Sequence, residues 1–293
     1  MPYITVFTPT YNRGYILDVL YKSLCSQSFR DFEWLIVDDG STDNTALIVE
    51  KWKTEKLINI NYVFKKNGGK HTAHNLATEL ACGELLVICD SDDYFTPTAL
   101  QEIFSKWVEY RENTSIAGLI GYRGETEEKL LRGKKFPYTE GAYHLSEIFE
   151  GAGNLFDTTQ IYRTTTIRKF KFPEYEGERF MPEYFCWKSI DLAGYKVGIL
   201  PKILEVCEYR EDGLTKNPKG IASVYKNPRG YADYSLVMSK DKHGVEKYKW
   251  IGKYMFLRSL AKEKIGFSIK SILAVPFSIA YWVQYLMRYE KKK

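Results

Sequence analysis

The 293-residue sequence lacks several features that would assign it to a specialised class. Its 42 Lys and Arg residues against 37 Asp and Glu leave a net charge of only +5, which argues against nucleic-acid binding but fits an anionic small molecule or a membrane surface. The five cysteines form no CxxC pair and show no metal-ligand spacing, so we expect reduced thiols. The first residues carry no basic and long apolar signal segment, which predicts a cytoplasmic protein.

What the first 110 residues do contain is a regular alternation of apolar strands and helices. Apolar runs occur at residues 3–8, 33–39, 60–67 and 84–90, and each precedes a helical pattern. We expect Pro9 to end the first strand and Asn12 to cap a helix over residues 14–27. Continuous apolar strands joined by helical crossovers predict an α/β fold with a mostly parallel sheet covered on both faces.

Polar residues follow each predicted strand. These clusters are Thr8–Asn12, Asp38–Asp39, Gly68–Lys70 and Asp90–Asp93. Ligands of open α/β sheets bind outside the carboxyl ends of the strands, so the four clusters predict one binding site.

The acidic cluster lies in the stretch LLVICDSDDYF, where an apolar strand runs into Asp90, Asp92 and Asp93. An Asp-x-Asp at a strand end suits Mg²⁺ or Mn²⁺, which take few protein carboxylates and fill their other positions with water and phosphate oxygens. The alternative is a solvated turn with an Asp cap before the next helix. Three further polar clusters at the same edge favour the cation.

The chain changes character after about residue 113. An apolar run at 115–122 predicts a further strand, residues 123–180 show no clear periodicity, and PEYFCWKSIDLAGYKVGIL predicts a helix, a glycine turn and a strand. We expect residues 1–110 and 111–230 to form two halves of the same domain and residues 231–293 a helical extension.

The segments ITVFTPTYNRG, SLCSQSFRDFEWLIVDDGSTDNT, NGGKHTAHNLA and GELLVICDSDD together resemble glycosyltransferase family 2, whose fold is GT-A. The likeness covers residues 1–110 closely. A weaker likeness at MPEYFCWKSIDLAGYKV is similar to the segment that holds the family's catalytic carboxylate. There Pro182 replaces the first acidic residue of a pair, and Glu183 stands at the position of the base.

The resemblance implies that residues 1–110 form the nucleotide-sugar-binding half and residues 111–230 the acceptor-binding and catalytic-base half of the same domain. It also implies a role for each matching residue. Glu183 would be the catalytic base, Asp39 would contact the nucleobase, and Lys70 would reach the diphosphate or the strand-end carboxylates. Asp93 would be the main metal ligand, with Asp92 near the ribose and metal. The remaining residues implied at the nucleotide or metal are Pro9, Tyr11, Asn12, Asp38 and Asp90.

The resemblance also implies the reaction. A metal-dependent inverting enzyme would move a sugar from a nucleoside diphosphate, with UDP favoured, to a saccharide or lipid-linked saccharide in bacterial surface polysaccharide synthesis. A nucleotidyltransferase is one alternative, but TPTYNRG lacks the Gly- and Arg-rich loop that would hold a triphosphate. A non-catalytic nucleotide-binding module is the other, and Pro182 keeps it open.

Two later segments predict contacts beyond this site. Tyr209 and Arg210 lie in a Gly-, Pro- and Lys-rich stretch that is typical of a lid over a diphosphate, or of an ordinary solvated loop. Residues 271–287 carry no charge and are bounded by basic residues. We expect residues 266–293 to dock peripherally on the inner membrane face, with Trp282 and Tyr285 at headgroup depth; a core helix or a spanning helix are the alternatives.

Overall fold

The computed structural model describes residues 2–133, 135–151, 157–207, 220–265 and 269–288. The chain forms two compact units: Met1–Lys171 with Ala193–Tyr209, and Phe172–Leu192 with Arg210–Lys293. The predicted divisions after residues 110 and 230 therefore fall inside the first and the second unit, respectively. The first unit continues past residue 110 because later strands join the same sheet.

The first unit is built on one mixed sheet. Its strands are β1 (Ile4–Thr10), β2 (Phe32–Asp38), β3 (Asn59–Phe64), β4 (Leu85–Ile88), β5 (Asp93–Phe95), β6 (Ile116–Gly124), β7 (Ala142–Tyr143), β8 (Thr158–Arg163) and β9 (Lys196–Cys207). Their order is β3-β2-β1-β4-β8-β6-β9-β5, with β7 also on β9. Strands β1 to β4, β6 and β9 run parallel, whereas β5, β7 and β8 are antiparallel to their neighbours. The predicted α/β class with a mostly parallel sheet is confirmed.

Helices cover this sheet. They are α1 (Leu17–Cys25), α2 (Thr45–Glu55), α3 (Lys70–Leu80), α4 (Ala99–Trp107), α5 (Leu145–Gly151) and α6 (Thr164–Ile167), with a 3₁₀ turn at Leu131–Gly133. Every residue of β1 and β2 is buried, as their continuous apolar sequences predict. Stacked rings of Tyr21, Trp34 and Trp52 join α1, β2 and α2, with Tyr21 and Trp52 centroids 4.4 Å apart.

Two local predictions about β1 and α1 are wrong. Pro9 does not end the first strand; it lies within β1 and is in register with Val37 of β2. Helix α1 begins at Leu17, and the residue before it is Ile16 rather than Asn12. Asn12 instead has a φ of 53°, a backbone region that Asn tolerates better than most residues, and its side chain serves a loop contact described below.

The second unit is helical in its described residues. Its helices are α7 (Tyr184–Leu192), α8 (Gly220–Lys226), α9 (Pro228–Met238), α10 (Gly244–Leu260) and α11 (Ile269–Arg288). The buried Lys188 of α7 lies 2.9 Å from Asp191 and 2.5 Å from Asp241. Glu178 accepts hydrogen bonds from the first backbone amides of α9, at Arg229 and Gly230, both at 2.9 Å. The ion pairs of Lys188 and the hydrogen bonds of Glu178 help to fix the positions of α7 and α9 within this unit.

Helices α10 and α11 pack closely because α10 has a glycine at the contact. A Cβ atom added at Gly252 would lie 2.6 Å from Cβ of Phe277 and 2.9 Å from the backbone of Ala274. Trp282 and Tyr285 turn towards Phe256 of α10, with centroids 5.1 Å and 6.1 Å away. Both rings are half-buried, and their predicted position at headgroup depth stays a prediction. Within the described residues, no helix has the length and hydropathy required to cross a bilayer.

Replacing Gly252 by valine should separate α10 and α11. The added side chain would overlap the backbone of α11, so we expect the free energy of unfolding to fall by about 1–3 kcal/mol, as for other overpacked sites. Chemical denaturation measures this loss. Lys249→Val places the same β-branched residue at an exposed position of α10 and should cost well under that. Equal losses in both variants would contradict the close helix contact.

Candidate functional site

The loops after β1 and β2 are tied together at the carboxyl edge of the sheet. The backbone N–H of Asn12 donates to Oγ of Ser41 at 2.8 Å, and the N–H of Thr42 donates back to Oδ1 of Asn12 at 2.8 Å. The N–H of Gly14 donates to Asp43 at 3.1 Å. The clusters that the sequence placed after separate strands are thus brought into contact, and Asn12 has a structural part in that contact.

Asp38, the last residue of β2, binds the turn at this edge. It is fully buried, its Oδ1 accepts from the N–H of Ser41 at 2.7 Å, and its Oδ2 accepts from the hydroxyl of Tyr62 at 2.6 Å. Burial, followed by the hydrogen bond to Asp38, raises the pKa of Tyr62 above its ordinary value. Asp38 thus has a structural role, with Oδ1 holding the strand-end turn and Oδ2 binding Tyr62, and its predicted nucleotide contact stays a prediction.

Asp39 organises the loop that precedes α3. Its Oδ1 accepts from Nζ of Lys65 at 2.6 Å and from the N–H of Gly68 at 2.9 Å, and its Oδ2 accepts from the N–H of Gly69 at 2.7 Å. Gly69 stands before the first turn of α3 with a φ of 97°, which favours glycine. The carboxylate of Asp39 therefore binds a third loop, the one after β3, at the same edge.

Tyr11 is the most open of the predicted base-pocket residues. Its side chain is 48% exposed, while Pro9 is buried within β1 and Asn12 is half-buried. An exposed ring above a polar edge can offer one face to a flat ligand. Tyr15 is 60% exposed nearby in the chain and accepts a hydrogen bond from Arg13 at 2.6 Å.

Lys70, the first residue of α3, pairs with the first acid of the DSDD stretch. Its Nζ lies 2.5 Å from Oδ1 of Asp90, and both side chains are more than a quarter exposed. Burial alone would raise the pKa of Asp90, but Lys70 and Arg123 outweigh it and hold that pKa below its ordinary value. Asp90 is consequently an ionised partner of Lys70, as one of the two predicted contacts of Lys70 requires.

The other two acids differ in accessibility. Asp92 is half-exposed, and burial together with the charge of Asp90 raises its pKa. Asp93 is 6% exposed, begins β5 opposite Cys207 of β9, and lies 3.7 Å from Arg123. Burial, offset in part by Arg123, raises the pKa of Asp93 to about 7. The predicted main metal ligand is thus the less accessible of the two carboxylates.

Arg123 on β6 and Glu205 on β9 complete this cluster, and neither was predicted from the sequence. Nε of Arg123 lies 2.8 Å from Glu205, whose side chain is fully buried. Burial raises the pKa of Glu205 to about 8, although Arg123 opposes the rise. The signal in the sequence was an arginine and a glutamate inside otherwise apolar strands, IAGLIGYRG and KVGILPKILEVC, because buried charges require partners.

The cluster contains more acidic side chains than directly paired basic ones. Four carboxyl groups, at Asp90, Asp92, Asp93 and Glu205, face two directly paired cations, Lys70 and Arg123. Because the pKa values of Asp93 and Glu205 are raised to about 7 and about 8, part of this acidity is held as protons at neutral pH, and a divalent cation would compete with those protons for the carboxylate oxygens. Among the described residues, no three His, Cys, Asp or Glu side chains already form a metal cage. A metal held here would need further ligands from a phosphate or from water.

Three predicted site residues remain: Glu183, Tyr209 and Arg210. Glu183 belongs to the second unit, is half-exposed, and immediately precedes α7, where its carbonyl accepts from the N–H of Cys186 at 3.0 Å. Tyr209 and Arg210, the predicted lid residues, lie outside the described residues, as do 266–268 and 289–293 of the predicted membrane segment. Their predicted roles stay predictions.

Comparison with known proteins gives consistent matches. The family model for glycosyl transferase family 2 matches residues 5–170. The GalNAc(5)-diNAcBac-PP-undecaprenol beta-1,3-glucosyltransferase of Campylobacter jejuni is 32% identical over 263 residues, which cover 83% of this chain and 78% of that protein. TarS of Staphylococcus aureus, a poly(ribitol-phosphate) beta-N-acetylglucosaminyltransferase, is 29% identical over 174 residues. That match covers 58% of this chain but only 29% of the length of TarS.

Solved structures share the fold. The crystal structure of TarS residues 1–349 in complex with UDP-GlcNAc superposes with a TM-score of 0.64 and 24% identity, covering 88% of this chain and 72% of that one. A mannosyltransferase from Pyrobaculum calidifontis in complex with GDP-Man and Mn²⁺ superposes with a TM-score of 0.54 and 15% identity, covering 98% and 82%. At these identities the likeness establishes the GT-A fold.

Removing Arg123 should destabilise the first unit strongly. Arg123→Met would leave Glu205 buried with no cation, so we expect a loss of about 3–5 kcal/mol in the free energy of unfolding, measured by chemical denaturation at a pH above the value of about 8 at which Glu205 ionises. The double variant Arg123→Met with Glu205→Gln removes both charges and should recover a large part of that loss. Additive losses in the double variant would contradict the ion pair.

Proposed function

The chain belongs to glycosyltransferase family 2, and we propose that it transfers a sugar from a nucleoside diphosphate to an acceptor hydroxyl with inversion at the anomeric carbon. The observation that carries this proposal is the charge cluster at the carboxyl end of β4 and the start of β5. Its carboxylates can supply oxygen ligands to a divalent metal, and its two cations can offset the charge of a diphosphate bound to that metal.

The loops after β1, β2 and β3 support a nucleoside site beside this cluster. The exposed ring of Tyr11 would stack on the base, and the buried Asp39 would accept from a base N–H at a lone pair left by its three present donors. Asn12 would shape this pocket through its loop contact with Ser41 and Thr42 rather than through the base. We propose UDP as the nucleotide, in line with the UDP-GlcNAc bound to TarS.

Asp92 is our proposed first ligand of Mn²⁺ or Mg²⁺. Asp92 is half-buried, whereas Asp93 is buried and lies beside Arg123. Asp93 would therefore contribute mainly through its charge and less as a direct ligand. Bound there, the cation would offset the negative charge that develops on the leaving diphosphate. Lys70 is held at this edge by Asp90 and would contribute a second positive charge to the same oxygens.

Glu183 is our proposed base. An inverting transfer needs a carboxylate to take the proton of the attacking hydroxyl, and Glu183 stands half-exposed at the start of α7. Pro182 before it removes one of the two acids that the family resemblance leads us to expect, so Glu183 would carry the proton transfer alone.

The acceptor is proposed from the relatives. The Campylobacter protein is named for an undecaprenol-linked acceptor and TarS for a poly(ribitol-phosphate) acceptor. We infer a saccharide or lipid-linked saccharide in bacterial surface polysaccharide synthesis, handled at the cytoplasmic face of the membrane. Donor and acceptor sugars would be chosen by residues outside the charge cluster.

Nucleotide binding tests the donor proposal. UDP or a UDP-sugar at a hundredfold excess over its Kd, with Mn²⁺, should raise the melting temperature by roughly 5 °C. Asp92→Asn should remove the Mn²⁺-dependent part of this rise, whereas Asp31→Asn, a matched change at an exposed site, should leave it intact. A panel of nucleoside diphosphates in which none stabilises the protein would contradict the proposal.

Donor turnover tests the base. Glu183→Gln keeps the shape of the side chain but cannot accept a proton, so UDP release from the UDP-sugar should fall by about 10²–10⁴-fold. UDP affinity should stay within twofold of the unchanged protein. The exposed Glu176 of the same unit provides the control, because Glu176→Gln should release UDP at the normal rate. Normal release by the Glu183 variant would move the base elsewhere, and nucleotide binding without any release would favour a non-catalytic module.

A further inference from the structure

We propose that one face of α11 docks on the surface of an anionic lipid bilayer, with the helix lying in the interface. We name this face the outward stripe. It consists of Ile272, Leu273, Pro276, Ile279, Ala280, Val283, Leu286 and Met287.

The outward stripe contains every exposed residue between 271 and 287, and all eight are apolar. Ile272 is 62% exposed, Ile279 58% and Met287 59%. A surface helix of a water-soluble protein turns its polar residues outward and its apolar residues to the core. In α11 the arrangement is reversed, because its serines, tyrosines and Gln284 are half-buried or buried. Scattered exposed aliphatic residues are ordinary, but a continuous stripe along a helix marks a contact surface.

The opposite face of α11 is already occupied. Ala274 is fully buried, Phe277 and Ser278 approach Gly252 of α10, and Tyr281 stacks near Phe256 with centroids 6.1 Å apart. Rotating the helix to bury the outward stripe would break this packing. The stripe therefore needs an apolar medium from outside the unit.

The charge of the sequence around α11 indicates which medium this is. Residues 264–293 contain six Lys or Arg residues and one Glu, a net charge of +5, which equals the net charge of the whole chain. The preceding 263 residues are therefore neutral in sum. A helix with one apolar face and basic flanks is typical of segments that lie in the interface of anionic membranes.

The same charge argues against a second copy of this chain as the occupant. Two copies docked through their outward stripes would bring two strongly basic segments together, whereas anionic headgroups attract both. Docking is independent of the proposed glycosyl transfer, because it involves neither the charge cluster of the first unit nor Glu183.

Vesicle binding tests the proposal directly. We expect the full chain to cosediment with vesicles of phosphatidylglycerol and phosphatidylcholine, and to bind several-fold less to phosphatidylcholine alone or at high salt. Ile272→Asp with Ile279→Asp should lower the partition coefficient at least about tenfold, because two apolar contacts are lost and two negative charges are added. The control, Leu47→Asp with Leu57→Asp, adds the same charge at exposed leucines of the first unit. It should change the partition coefficient less than about twofold.

A neutral pair, Ile272→Gln with Ile279→Gln, guards against misfolding of the charged variant. It should retain the melting temperature and still lose most vesicle binding, since Gln is a good helix former but is not apolar. Light scattering in the absence of lipid should give a monomer for every variant. Vesicle binding unchanged by both double substitutions, equal binding to neutral vesicles, or a dimer that the substitutions convert to monomer would each overturn the proposal.

Discussion

The repulsion among the carboxylates between the end of β4 and the start of β5 is the constraint on which the rest of the site depends. Asp90, Asp92 and Asp93 follow one another in four residues, and Glu205 lies buried beside them. Left alone, such a group would take up protons or expel one member to solvent. Lys70 on one side and Arg123 on the other reduce this cost without removing it. The cost that remains is what a bound divalent cation would relieve under the proposed function.

The neighbouring aspartates show how similar acids acquire different tasks. Asp38 and Asp39 are adjacent and both buried, yet Asp38 binds its own turn while Asp39 binds Lys65 and two glycine amides of the next loop. The two residues differ in position, because Asp38 is the last residue of β2 whereas Asp39 lies in the turn that follows it. One acid therefore closes the end of β2, and the other aligns the loop that starts α3.

This division explains what the sequence could predict. Continuous apolar runs predicted β1 to β4, and parallel pairing then brought the polar residues after them to one edge, so Lys70 and Asp90 were expected close together. Arg123 and Glu205 escaped prediction because they reach Asp93 only through β6 and β9, whose places in the sheet depend on long-range pairing. Asn12 was predicted to cap a helix because its side chain can accept backbone hydrogen bonds. It has a positive φ and accepts one from Thr42 in the neighbouring loop, a contact that depends on the fold and not on the local sequence.

Helix α11 shows a different limit of prediction. Its sequence is mostly apolar, so composition indicates a buried or membrane-bound helix but not which face meets which partner. Packing decides the matter, because the aromatic rings of Trp282 and Tyr285 fill the space around Phe256 and leave the flexible aliphatic side chains outward. The face that stays outward is therefore aliphatic, and the proposed lipid contact involves this face and not the half-buried aromatic rings.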